Sequence, residues 1–438
     1  MVRPSTARKE QRRTATWCNT LDPLLYDAPM FERMCAVAIA GTPVGDYAQK
    51  HVPNDALIMV HGDVPPYPSF TDLLTRTNLA NALRARGVTH LMLHDTHTPE
   101  IDAWGKHTGI RFLAPSAHAQ RTLEHKLLFD RLVRTNGIPV PPRITHLRDI
   151  DPARAYVCQS HDGAGLEGTR FVPGSAVHSS IPSLAQTLVR EYLPGIPIGI
   201  TLVLDRGGAY RVSAMRRQCF LFHQSYPQTF LGIQWLPRDF FDQRTRARIT
   251  RVMRDLAQVL HTRRFVGIAN IDLIVHEGKP YVLECNPRLS SATPQLFAHQ
   301  ELSGGTDLWS FLQRAHVPHG PSDRSSLRAP HEFTGSILQT DAPAHTKIRT
   351  LPAIGWYRIQ GTNVSLRTRT AEDERPSSSD VFFFTDIARA DADIPETFTP
   401  ITLLSNAPLY DPATGAPNAR GTMLMRHFTT IMFTQPHL

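Results

Sequence analysis

The chain has 438 residues, 41% of them hydrophobic and 20% charged, which is too long for one ordinary domain and excludes a disordered or fibrous protein. Its formal charge of +8 comes from 47 basic against 39 acidic residues, and the basic ones are overwhelmingly Arg, a side chain that favours planar oxyanions. No Lys/Arg block is interleaved with aromatics and no apolar run reaches membrane-spanning length, so the charge points to small anions, and neither nucleic acid nor membrane is an expected partner.

Arg3, Arg8, Lys9, Arg12 and Arg13 make the N-terminus basic, with no apolar segment after them. Residues 1–20 are therefore expected to be a disordered arm, with a transit peptide as the alternative. From about 55 to 115 short apolar runs alternate with a helical pattern. Leu57–Val60, Leu91–Leu93 and Ile110–Leu113 read as strands and Asp72–Arg86 as a helix stopped by Gly87. That βαβ rhythm predicts a small parallel sheet. His94, Asp95 and His97 at a strand end read as a polar loop, since clear zinc spacings are absent. Ser116 caps one long predicted helix running to Asn136, ended by Gly137 and Pro139.

Tyr156–Val172 reads as strand, loop with Gly163, Gly165 and Gly168, and strand. A helix is predicted around Ser183–Val189, before the break at Pro194-Gly195. Strands at 198–204 and 209–215 flank the turn Asp205–Gly208, and Phe240–Arg264 looks helical. After His316 the composition shifts, Pro318–Pro330 reads as a linker, and the tail holds strand-like runs such as Val381–Phe384. The five cysteines, Cys18, Cys35, Cys158, Cys219 and Cys285, form no CxxC pair. Neither a disulfide framework nor a zinc knuckle is indicated, and a reducing cytoplasm is expected.

Gly267–Arg288 carries the chemistry. Ile271, Leu273, Val275, Tyr281, Leu283 and Cys285 are apolar at odd positions, while Asn270, Asp272, Glu284 and Asn286 stand at even ones. This is the strand period, with one dry and one polar face. A loop over His276–Pro280, centred on Gly278, sets Asp272 opposite Glu284 and Asn270 opposite Asn286. Like charges directly opposite each other destabilise a sheet. The pair is therefore read as holding a cation, against the alternative of a hairpin whose polar face meets water. Two carboxylates and an amide oxygen suit Mg²⁺.

These residues resemble the ATP-grasp ligases over roughly 55–312, most strongly in Asp272…Glu284-Cys-Asn286-Pro-Arg288. The resemblance implies a Rossmann-like N-terminal domain, a two-lobed ATP-grasp domain and, beyond them, a mixed α+β C-terminal extension, an α/β and α+β chain overall. The expected boundaries are 1–115, 116–317 (with 150–195 as a mobile glycine-loop lobe) and 318–438. Asp272, Glu284 and Asn286 match the family's metal ligands, and Arg288 the arginine that steadies the transferring phosphoryl group or the acyl phosphate. Lys126 sits where the family has its first ATP lysine. Glu191, Tyr192 and Leu193 match the adenine hinge. Gln159 stands where a second ATP lysine is usual, and no acid follows the hinge to bind ribose. Arg170, Arg216, Arg217 or His223 are candidates for the missing charge, Arg216 foremost and as a catalytic residue.

The expected function is an ATP- and Mg²⁺-dependent ligase, with Mn²⁺ as a substitute, that activates a carboxylate as an acyl phosphate and couples it to an amine. Small-molecule carboxylates and amines are then the partners, with homodimerisation left open. No biotinyl-carrier or glutaminase-like segment is recognisable, which argues against a carboxylase. The alternative is an ATP-grasp-like nucleotide-binding protein that has lost catalysis and acts as a sensor or assembly partner.

Overall fold

The computed structural model describes residues 14–17, 34–63, 70–93, 96–161, 168–181, 183–223, 226–290, 292–293, 295–296, 308–316, 335–340, 348–367, 380–385 and 401–433. The expected linker, the loop glycines Gly163 and Gly165, and the pair His94 and Asp95 lie outside them. The chain divides into two compact units, one formed by Met1–Ala114, Leu289–Gly305 and Thr334–Leu438, the other by Pro115–Arg288 and Thr306–Phe333.

In the first unit, β1 (Thr14–Trp17), β2 (Cys35–Ile39), β3 (Leu57–Val60), β4 (His90–Met92) and β5 (Arg111–Phe112) form a parallel sheet in the order β3-β2-β1-β4-β5. The βαβ reading is correct, but part of the expected disordered arm is not: Thr14–Trp17 is the central strand, paired to β2 and β4. Helices α1 (Pro43–His51), α2 (Phe70–Arg76), α3 (Leu79–Ala85) and α4 (Pro99–Thr108) accompany this sheet. The predicted helix 72–86 is broken because Thr77 bridges to Gly62, and Asn78 exchanges hydrogen bonds with His61.

The second unit opens with α5 (Ala117–Glu124) and α6 (Lys126–Thr135). Ser116 caps α5 as expected, but the single helix 116–136 is interrupted. His125 takes an extended conformation, and the Lys126 N–H donates to the His161 carbonyl at 3.1 Å instead of continuing the helix. A small antiparallel sheet follows: β6 (Ala155–Ser160), β7 (Thr169–Pro173) and β8 (Thr187–Glu191) in the order β7-β6-β8, with the short helix α7 (Val177–Ser180) between β7 and β8. The helix expected at 183–189 is thus wrong. Thr187–Glu191 pairs with β6, and β-branched and apolar Thr187, Leu188 and Val189 are buried there.

The main sheet of this unit has the order β14-β13-β9-β11-β12, from β9 (Ile196–Leu204), β11 (Arg216–His223), β12 (Tyr226–Trp235), β13 (Gly267–His276) and β14 (Lys279–Asn286), with β10 (Tyr210–Val212) also on β9. Helix α8 (Gln243–Thr262) starts at Asp242, whose carboxylate accepts from Thr245 N–H at 2.7 Å. Its Ile249, Val252, Met253, Leu256 and Leu260 recur at helical spacing and pack in one core with Ile200 and Leu202 of β9 and Ile271 and Leu273 of β13. Helix α9 (Leu308–His316) ends the described part of the unit. The apolar face of β13 is thereby committed to the core, so the opposite face must carry Asn270 and Asp272.

The rest of the first unit is antiparallel: β15 (Ser336–Thr340), β16 (Gly355–Gln360), β17 (Asn363–Leu366), β18 (Asp380–Phe384) and β19 (Ile401–Ser405), in the order β15-β19-β18-β16-β17. Helix α10 (Ala419–Met432) stacks Phe428 on Phe383 with ring centroids 4.6 Å apart. Among the described residues no helix is long and apolar enough to cross a membrane.

Candidate nucleotide and metal site

The site is built on the β13–β14 hairpin. Its ladder pairs Asp272 with Glu284 and Asn270 with Asn286, as the sequence pattern requires, but by a different route. The loop is not His276–Pro280: His276 pairs with Lys279, leaving a two-residue turn of Glu277 and Gly278, both with positive φ (49° and 68°). That is the type I′ geometry that matches strand twist. The ladder then shifts register between Asp272 and Leu273, leaving Leu283 as an extra residue. The strict odd–even alternation on β14 fails for this reason. Val282 and Pro280 are buried below the bulge and Cys285 above it, while Tyr281 and Leu283 are half-buried.

Asp272 is 9% exposed, and burial, reinforced by Glu284, pushes its carboxyl well above the usual carboxylate range. Arg216 works in the opposite direction. The Asn286 amide nitrogen donates to Asp272 Oδ2 and to Glu284 Oε1, 3.2 Å in each case. One donor is thus shared between the two carboxylates at the point where a cation would lie, and a half-turn of the amide presents its oxygen there instead. Among the described residues no group of three or more His, Cys, Asp or Glu could hold a metal. An ion here would have two carboxylates and an amide, with water or phosphate completing the shell. That donor set fits Mg²⁺.

Lys126, at the first turn of α6, is 3% exposed with Nζ 3.8 Å from Glu284 Oε2. The break at His125 is what brings it there. Arg288 donates from Nε to Glu124 Oε1 at 3.0 Å and is half-buried. Arg216 is fully enclosed. Its Nη1 donates to Thr201 Oγ1 (3.0 Å) and its Nη2 to Asn270 Oδ1 (2.9 Å). The guanidinium lies against Gly199, where an added Cβ would meet Nε at 2.9 Å. Arg217 is also buried, while Arg170 Nη1 reaches the Ser180 carbonyl at 3.3 Å and is exposed. The side chain of His223 lies outside the described residues.

At the expected hinge the Tyr192 N–H donates to the Ala155 carbonyl (2.8 Å), and the Glu191 carboxylate takes Arg154 Nη1 at 2.7 Å on both oxygens. The Leu193 amide has no hydrogen-bond partner among the described residues. The Tyr192 ring meets Phe171 and Tyr226 edge-on at 5.7 and 5.4 Å. Gln159 contacts Thr169 Oγ1 and the Arg190 guanidinium, both at 3.4 Å.

Sequence reasoning missed Arg190 and Asp130. Arg190 is 3% exposed, its Nε 3.8 Å from Asp130, which is itself 1% exposed. Burial pushes the Arg190 pKa down to about 10, opposed by Asp130 and Glu284, so it stays charged at neutral pH. The helical reading of 183–189, which ends one residue before it, hid the strand that carries it. The signal that could have found it is the run Thr187-Leu-Val, which favours a strand.

A family model described as an ATP-grasp domain matches residues 123–292. No curated protein matches the chain. Among solved structures, the biotin carboxylase–beta-gamma-ATP complex from Campylobacter jejuni is 14% identical with a TM-score of 0.58, over 92% of this chain and 88% of that one. An L-amino acid ligase from Bacillus licheniformis is 14% identical with a TM-score of 0.56, over 90% and 92%. The biotin carboxylase domain of the Hydrogenobacter thermophilus 2-oxoglutarate carboxylase, solved with MgADP, ADP and bicarbonate, is 11% identical with a TM-score of 0.60, over 96% and 90%. Residues 123–292 therefore match an ATP-grasp domain, and the chain shares the fold of these solved structures.

Proposed function

We propose that the protein is an ATP- and Mg²⁺-dependent ligase that joins a small carboxylic acid to an amine, with the reaction carried by the 116–317 segment in a cytoplasmic setting. The observation that carries this reading is buried Asp272 directly opposed to half-buried Glu284, with Lys126 beside Glu284, inside an ATP-grasp frame. Directly opposed acids, one of them buried, cost stability, and an ion between them offsets that cost. The structural neighbours include proteins solved with ATP or MgADP and one that ligates L-amino acids.

In the proposed reaction a substrate carboxylate oxygen attacks the γ-phosphorus of ATP, and the bond to the β–γ bridging oxygen breaks, releasing ADP. The amine then attacks the acyl carbon, phosphate leaves, and the amine nitrogen gives up a proton. Such chemistry needs positioning and charge neutralisation more than a protein nucleophile. Mg²⁺ held by Asp272, Glu284 and Asn286 would neutralise phosphate charge. Lys126 and Arg288 supply fixed positive charge, and Arg216 holds Asn270 beneath the acids. Tyr192 and Leu193 would line the adenine, the Leu193 N–H being available as a donor to the ring. A panel of amino acids and amines with ATP, followed by phosphate release and product mass, tests this. An amide product with stoichiometric ADP is expected. ATP turnover that no carboxylate–amine pair stimulates or captures would overturn it.

One observation favours a second reading, a nucleotide-binding protein without turnover: the uncharged Gln159 stands where the family usually has a lysine. Tight Mg²⁺-dependent ATP binding with no turnover on any substrate would select it.

A further inference from the structure

We propose that Arg190 is a positioning residue for the two-acid site: it grips the carbonyl of Leu283, the extra residue of the β14 bulge, and so holds the register that sets Glu284 opposite Asp272. The inference rests on reading those acids as the ion-holding pair.

The turn and the bulge together decide which face Glu284 occupies. Continued without interruption from the Glu277-Gly278 turn, the ladder that pairs Leu273 with Val282 would set Asp272 against Leu283 and Ile271 against Glu284. Residues directly opposite each other share a face. Glu284 would then lie on the side of Ile271, which is fully buried in the apolar core. One extra residue moves Glu284 across to Asp272. A slip of one position flips every side chain beyond it, so the site exists only while the bulge is held at Leu283.

The bulge is held from outside the ladder. Val282 N–H donates to the Pro139 carbonyl at 2.8 Å, and Arg190 Nη2 donates to the Leu283 carbonyl at 2.9 Å. Arg190 is itself fixed. It stands on β8, shares its Nη2 with Gln159 Oε1, and points Nε at Asp130. Asp130 also takes Arg134 at 3.4 Å and Arg143 at 3.3 Å. A planar guanidinium carrying several donors can serve the carboxylate, the amide and the bulge carbonyl together, which a lysine cannot do. Gln159 has a local part as well: it accepts from the residue that sets the acids.

The test compares wild type with R190M and R190K by amide hydrogen exchange without nucleotide, following residues 279–286 and, as a control, α8. Exchange across Val282–Asn286 should rise about tenfold in R190M, as expected for losing a hydrogen bond to a charged donor, with α8 unchanged and R190K intermediate. Arg134 and Arg143 remain on Asp130 in these variants. Should R190M not fold, D130N/R190M removes both charges and is measured in the same way. Unchanged exchange at 282–286 in a folded variant would overturn the proposal. The second readout is Mn²⁺ titration in the presence of ADP. Mn²⁺ affinity should fall about tenfold in R190M while metal-free ADP affinity stays within about twofold. Equal loss of both affinities would reduce Arg190 to general support of the fold and overturn the positioning role. If wild type itself shows no Mn²⁺-dependent ADP affinity, the reading of the acid pair fails, and the exchange measurement still decides whether Arg190 holds the bulge.

Discussion

Asp272 is a residue whose ionisation works against folding. Burial and the facing Glu284 raise its pKa in the folded protein above the ordinary value of 3.8. The native state therefore binds a proton more tightly than the unfolded chain. Linkage fixes the sign: this contribution to stability is greatest at acid pH and declines as pH rises from about 4 toward the raised folded value. D272N removes the titrating group. Without metal or nucleotide, the variant should gain about 1–2 kcal/mol over wild type at pH 8 relative to the difference at pH 5, and should lose Mg²⁺-dependent nucleotide binding. Urea unfolding at the two pH values reads the first effect and calorimetric titration the second. Identical pH dependence in the two proteins would contradict the burial argument. The acid pair was legible in the sequence because charge opposed to charge leaves a pattern in the letters. Arg190 and Asp130 were not, because their pairing joins β8 to α6 across 60 positions of chain (190 against 130), and the run Thr187-Leu-Val marks the strand without marking its partner.

At the level of elements, local rules succeeded where the chain decides alone and failed where a distant partner decides. Helix α8 shows the first case. Asp242 caps it, and it ends as the Arg264 N–H donates to the His261 carbonyl and the Phe265 N–H to the Leu260 carbonyl, with Phe265 and Leu260 in the same core. This is the Schellman arrangement, whose turning residue favours glycine. Here Arg264 occupies it with φ of 56° and an exposed side chain. R264G should therefore stabilise the protein by about 0.5–1 kcal/mol, measured as a higher urea midpoint with an unchanged slope. A lower midpoint would show that the arginine side chain outweighs its backbone strain. The second case is the failed helix at 183–189 and the interrupted one at 116–136. In the former, β6 offers a ladder to Thr187–Glu191. In the latter, the His161 carbonyl takes the Lys126 N–H. The hairpin lies between the two. Alternation showed its polar face, but the two-residue turn and the bulge compensate each other, so a wrong loop still produced the right pairing of acids.

For the molecule as a whole, the parallel sheet was legible from its apolar runs, except for β1, whose four residues Thr14–Trp17 carry too little pattern within a basic, polar stretch. The C-terminal segment was read as a mixed α+β extension over 318–438. In the structure Thr334–Leu438 belongs to the same compact unit as residues 1–114. Tyr47 of α1 meets Phe382 of β18 edge-on at 5.6 Å, and both are buried. A chain ending at residue 333 should therefore expose Tyr47, lose cooperative melting of the N-terminal sheet and become sensitive to protease there, because a buried aromatic contact and its apolar surface are removed. Limited proteolysis with peptide mapping checks this. A truncated protein as resistant as the full chain over 34–113 would contradict it.

The most direct measurement is anomalous scattering from Mn²⁺ in crystals grown with a non-hydrolysable ATP analogue. The expected result is a peak between Asp272 and Glu284, about 2.0–2.3 Å from an oxygen of each, with the Asn286 amide turned to present Oδ1. A nucleotide bound with no manganese between those two carboxylates would contradict the assignment.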